Sequence, residues 1–121
     1  MKESLQEYMF NTYGKILDDR VSFNRVPDGW FDIIDQALNK LYKIEGIKVL
    51  ECKEKFAQLR IYINVWDNSE ANKILEEAEF KSQYVCEICG VSGERRKKLS
   101  GYWIKTLCSH HARIYGYKDE F

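Results

Sequence analysis

The chain has 121 residues, 45% of them hydrophobic and 31% charged, with a single proline and seven glycines, which fits one globular domain or a domain with a small satellite and excludes a low-complexity or disordered chain. The formal net charge is zero, but residues 1–80 carry 11 Lys/Arg against 15 Asp/Glu and residues 81–121 carry 8 against 4, so a dipole with a basic C-terminal third is expected. With an isoelectric point near 6.7, any contact with a polyanion must be local to that third.

No run of about 18 uncharged apolar residues occurs, and the opening MKESLQEYMF carries two glutamates, so the sequence predicts neither a membrane span nor a secretory signal but a protein of the host-cell cytoplasm. Residues 3–13 predict a short helix through Leu5, Tyr8 and Met9, followed by a stretch to Val26 without a readable period. VPDGWFDIIDQALNKLYKIEG reads as a helix, with Asp28 as N-cap, Asp32 in the first turn, a stripe of Phe31, Ile34, Leu38 and Leu41, and Gly46 at the C-terminal end. From Ile47 the period changes to alternation: IKVLEC predicts one strand, and Leu59, Ile61, Ile63 and Val65 mark a second, joined in a hairpin around KEKFAQ. Tyr62 and Trp66 would line a sheet face covered by a helix. A third helix is predicted over Ser69–Tyr84, with Ala71, Ile74, Leu75 and Ala78 on one face. The reading divides the chain into a helical and β-hairpin region, 1–83, and a C-terminal module, 84–121, packed against it.

That module carries the chemistry. Cys86 and Cys89 are separated by two residues, as are Cys108 and His111, and eighteen residues lie between the pairs. Two close pairs of soft or borderline donors are what a tetrahedral Zn²⁺ requires, because each short turn delivers two ligands to one side of the ion. Gly90 after the second cysteine suits the tight turn of such a pair. On a helix starting near Cys108, His111 lies about 60° from Cys108 around the axis and His110 about 160° away, which makes His111 the ligand. Knuckle, hairpin through KLSGYWIKTL and helix follow in treble-clef order, with a zinc ribbon as the neighbouring alternative. Four protein ligands leave no position for a catalytic water, so the expected role of the Zn²⁺ is structural.

The competing readings need residues of other kinds. Two disulfides would need an oxidising compartment. A zinc deaminase needs a histidine upstream of its cysteine pair, and none precedes His110. A treble-clef nuclease needs a general-base histidine and further ligands for a second metal, and His110 alone is spare. Cys52 falls in a predicted strand and reads as a small buried hydrophobe. The dense basic cluster Arg95, Arg96, Lys97 and Lys98 reads either as a solvated loop or as a contact for phosphates or an acidic protein surface. Tyr102 and Trp103, with Tyr115 and Tyr117, surround the module and are candidates for an interface. No phosphate-binding loop, nucleophile elbow or triad is present, and a non-enzymatic protein is expected.

The segments DGWFDIID, KEKFAQLRIYI, CEICG and GYWIKTLCSHH, in that order, resemble a widespread family of small phage and prophage proteins over about residues 28–115. Relatives often have glycine where Ala57 stands. The resemblance implies Cys86, Cys89, Cys108 and His111 as metal ligands. Some small phage metalloproteins of this kind are anti-CRISPR proteins, which implies a host-protein partner, a single-protein RNA-guided CRISPR effector nuclease. A nucleic-acid-binding zinc module in phage regulation is the alternative. Together these readings predict an α+β protein, with helices around a small antiparallel sheet and a C-terminal treble-clef or zinc-ribbon-like module.

Overall fold

Apolar residues at helical spacing at the start of the chain, alternating ones in the middle and paired metal-type ligands at the end give an α+β fold. The computed structural model describes residues 1–118, so the last three residues of the expected C-terminal module lie outside it. Among the described residues there are four α-helices and two antiparallel sheets of two strands each.

Helix α1 (Glu3–Tyr13) buries Met9 and Tyr13 and passes into a single 3-10 turn, Gly14–Ile16. The unperiodic stretch that follows is core: Leu17, Val21, Phe23 and Val26 are all buried. Its backbone runs beside the first hairpin, where Asp18 N–H donates to Val49 O at 2.9 Å and Glu54 N–H to Arg25 O at 3.1 Å. Burial dictated by a neighbouring strand has no period of its own, which is why the sequence pattern fails there.

Helix α2 (Phe31–Tyr42) buries Ile33, Ile34, Ala37, Leu38 and Leu41. Asp28 does not cap it. A 3-10 turn, Asp28–Trp30, comes first, and the Asp28 carboxylate accepts the Lys2 N–H at 2.7 Å instead. The helix also stops short of Gly46, which takes φ +85° in the turn beyond it.

Strands β1 (Val49–Lys55) and β2 (Gln58–Ile63) pair antiparallel, with Lys55 opposite Gln58, so the connection is Phe56 and Ala57 alone rather than a loop around KEKFAQ. Strand β2 ends three residues earlier than the alternation predicts. The Asn64 carboxamide accepts from Lys48 N–H at 2.8 Å and donates to Gly46 O at 3.0 Å, closing the hairpin at its open end. Trp66 lies past that closure and is 86% exposed, and Tyr62 is exposed as well, so no helix covers them.

Helix α3 (Ser69–Ser82) has a true cap: Asn68 Oδ1 accepts the Ala71 N–H at 2.9 Å. It packs against α2 and β2, burying Ala71 and Ala78, and the Ser82 hydroxyl accepts the Leu59 N–H at 2.9 Å. Cys52 sits in this core, 2% exposed, as expected of a small hydrophobe. The second sheet, β3 (Glu94–Lys97) with β4 (Ile104–Leu107), and helix α4 (Ser109–Tyr115) enclose a separate small core of Cys86, Leu107, Ala112 and Tyr117. No helix of the described residues is long and apolar enough to cross a membrane.

Candidate metal centre

The first ligand pair stands on a tight backbone turn. Cys86 N–H donates to Val91 O at 2.7 Å and Gly90 N–H to Cys86 O at 3.0 Å, and Gly90 takes φ +82°, a conformation that glycine adopts without a side-chain clash. The second pair stands at the start of α4. Cys108 is its N-cap residue, with φ −73° and ψ 167°, and its sulfur accepts the His111 N–H at 3.5 Å. One side chain therefore both caps the helix and faces the other donors. Helix α4 ends at Gly116 in the left-handed conformation, φ 75°, and Tyr117 N–H closes on Ala112 O at 2.8 Å. The chain then returns along β3, where Lys118 N–H donates to Lys97 O at 2.9 Å.

These elements bring the four expected ligands together. Cys108 Sγ lies 3.3 Å and Cys86 Sγ 3.8 Å from His111 Nδ1, and Cys89 Sγ lies 3.9 Å from Cys108 Sγ. All four donor atoms fall within 4.8 Å of one another, so the cluster can hold a metal ion. No disulfide joins them, and all four cysteines are free thiols. Cys86 is buried, Cys89 is exposed, and Cys108 and His111 are half-buried, so the site lies at the edge of the small core. The His111 N–H, aided by the His111 ring, pulls the Cys108 thiol down to about 6 against the opposing effect of burial, which favours the thiolate form that metals bind. His110 stays outside the cluster, exposed, its ring edge-on to that of His111. On the other side Tyr115 stacks on the His111 ring, with centroids 6.1 Å apart.

Three residues outside the ligand set fix the centre to the rest of the molecule. Gly29 N–H donates to Glu87 O at 2.7 Å, and a Cβ on Gly29 would stand 2.0 Å from Cys86 O, so the DGW turn lies directly against the knuckle. Beside it, Trp30 Nε1 donates to Val85 O at 2.9 Å. Glu87, between the two cysteines, is 1% exposed; its carboxylate accepts the Thr106 N–H at 2.7 Å, and Lys105 Nζ lies 3.6 Å away. A carboxylate inside a cysteine pair, and a glycine before a tryptophan, were the available signals. Comparison with family models, curated proteins and solved structures finds no match.

The basic cluster does not form a loop at the tip of the module. Residues 94–97 are strand β3, and Arg96 is 2% exposed, its Nε donating to Leu107 O at 2.8 Å and a terminal nitrogen to Lys118 O at 3.2 Å. Arg96 is thus a structural cation that ties the strand to the C-terminal segment, not a surface contact. Arg95 is exposed; Lys97 and Lys98 are half-buried. The tip of this hairpin is formed by residues 98–103, closed by Lys98 N–H donating to Trp103 O at 2.8 Å. Tyr102 and Trp103 project from it, 90% and 71% exposed. They face a cleft of about 600 Å³ whose other wall is the Phe56 turn of the first hairpin.

Proposed function

We propose that this chain is a non-enzymatic binding protein whose C-terminal module is stapled by a structural Zn²⁺. Zn–S bonds of about 2.3 Å and Zn–N bonds of about 2.0 Å in a tetrahedron put neighbouring donors about 3.5–3.8 Å apart. The donor separations of 3.3, 3.8 and 3.9 Å support that geometry. Three sulfurs and an imidazole favour zinc over the hard, oxygen-seeking cations. With four protein ligands the ion would have no open position, which supports a structural role.

The observation that carries the binding role is the aromatic rim: Phe56, Tyr102 and Trp103 are 63%, 90% and 71% exposed on the tips of two hairpins that are tied to one another. Large exposed rings grouped on one surface are typical of recognition surfaces. Taken with the resemblance to small phage proteins, the finer reading is a phage protein that docks on a host protein, an RNA-guided CRISPR effector nuclease, and blocks it by covering a surface. The test is retention of a host protein from lysate by the zinc-loaded chain, with elemental analysis of the same preparation. Retention of one partner at moderate salt, lost in Trp103→Ala, supports the reading; a preparation that retains none overturns it. Supercoiled plasmid left intact with Mg²⁺ or Mn²⁺ supports the non-enzymatic role, and cleavage overturns it.

A further inference from the structure

We infer that the cleft between the two hairpin tips binds unpaired nucleotides of a single-stranded nucleic acid. This keeps the aromatic rim as the binding surface of the proposed function but gives it a nucleic-acid occupant, so the host-protein occupant becomes an alternative outcome of the test.

The first observation is the cleft itself. It encloses about 600 Å³ between Phe56 on one side and Tyr102, Trp103 and Ile104 on the other, with Glu54 and Lys105 on its polar margin. That is within the size range of sites for small organic groups, and three aromatic side chains line it.

The second is backbone strain at the same place. Phe56 and Ala57 form a two-residue hairpin turn with φ 53° and 64°. Such turns favour Asn-Gly, because left-handed backbone strains other residues. Ala57 is buried, and Thr106 Oγ1 donates to its carbonyl at 2.8 Å, but Phe56 is 63% exposed and the core does not enclose its ring. A bulky ring held in a strained turn and pointed at a cleft is the kind of outlier that accumulates at functional sites.

The third is charge. Lys55 Nζ lies 5.8 Å from the Phe56 ring centroid and Lys97 Nζ 5.5 Å from that of Tyr102, and Lys105 joins them at the margin. Against these stand Glu54, one oxygen of which accepts the Ala57 N–H at 2.8 Å, and the buried Glu87, which lies 3.6 Å from Lys105 Nζ, so the charge at the rim comes chiefly from Lys55 and Lys97. The cores of protein–protein interfaces are depleted of lysine, whereas rings interleaved with cations make a stacking platform for bases with phosphates alongside. A duplex keeps its bases stacked inside and cannot use the rings.

The experiment uses the full zinc-loaded chain and labelled oligothymidylate and oligouridylate of about 12 nucleotides, read by fluorescence anisotropy from about 50 mM salt upward. Intrinsic fluorescence is followed in a Trp66→Phe background, so that the signal comes from Trp103 and the buried Trp30. The expected result is binding that weakens with salt, quenching of Trp103, and affinity for a duplex of equal length at least about tenfold lower. Phe56→Asn should fold at least as well as the parent, since asparagine tolerates left-handed backbone, yet bind about tenfold more weakly; Trp103→Ala should lose as much. Lys97→Gln should flatten the salt dependence. Zinc content and thermal melts confirm that each variant is folded. No binding at low salt, duplex bound equally well, or binding unchanged in both Phe56→Asn and Trp103→Ala overturns the inference. A host protein retained while the oligonucleotides fail to bind overturns it and leaves the docking role standing; failure of both ends both.

Discussion

The hydroxyl of Thr106, in β4, donates to the main-chain carbonyl of Ala57 at 2.8 Å, tying the tip of the first hairpin to the second sheet. Both residues are fully buried, so neither group can turn to water if the bond is lost. Thr106→Val keeps the shape and the β-branch but leaves the carbonyl without this donor. A buried acceptor without its partner costs about 1–3 kcal/mol, and the urea midpoint should fall accordingly, with Thr106→Ser recovering most of the loss. An unchanged midpoint in Thr106→Val would show that the two hairpins are held together by other contacts.

Gly29 brings the helical region directly against the metal centre. A methyl group there would meet Cys86 O at 2.0 Å and the carbonyl carbon of Glu87 at 2.5 Å, both main-chain atoms that cannot rotate away. Gly29→Ala should therefore cost about 3 kcal/mol or more and weaken metal affinity as well, because the displaced backbone carries a ligand. Gly14→Ala is the control. Gly14 has right-handed helical angles, φ −50° and ψ −33°, with nothing within 4 Å of a Cβ, so it should gain about 0.4–1 kcal/mol. Thermal melts and competition with a metallochromic dye measure both effects.

Metal removal should divide the molecule along its two cores. Structural zinc in small modules is worth about 10–16 kcal/mol, more than the net stability of most domains, so chelation should melt the core of Cys86, Leu107, Ala112 and Tyr117. The larger core does not contain the ligands and should persist. Titration with a thiol reagent after chelation should then count three reactive cysteines, with Cys52 withheld until denaturant is added. Four reactive thiols on chelation would mean that the two cores fold as one unit; reaction confined to the exposed Cys89 and half-buried Cys108, with Cys86 withheld, would mean that the module keeps its fold without metal.

What was legible in the sequence was what short-range spacing determines. Two residues between the members of each ligand pair fix a turn or a helical first turn whatever the surroundings, and helical rotation alone separates His111 from His110. Helix α3 was legible from its apolar face, which lies within one segment, although it ends at Ser82 rather than at Tyr84. What was not legible depended on distant partners. Arg96 looks like a surface cation until the carbonyls of Leu107 and Lys118 are seen to satisfy it. Asp28 looks like a helix cap until Lys2 takes its carboxylate. The Phe56-Ala57 turn carries neither glycine nor asparagine, so the usual marker of a two-residue hairpin is missing while the geometry is present.

The larger core should be sensitive to alkali. Burial pushes the Cys52 thiol from its ordinary 9.0 up to about 12. Burial, with the bond to the Asp35 carboxylate, raises the Tyr13 hydroxyl above its ordinary 10.0 as well. In both cases the fold favours the neutral form. Their contribution is present in full below the unfolded values and is lost as pH rises, from about 9 upward for Cys52 and from about 10 upward for Tyr13. Cys52→Ala should be less stable at neutral pH by about 1 kcal/mol because it leaves a small void, yet its stability should decline less steeply above pH 9. The gap between the parent and Cys52→Ala in urea midpoint should therefore narrow as pH rises through that window. A gap that stays constant or widens would mean that the Cys52 thiol ionises at least as readily in the folded protein as in the unfolded chain.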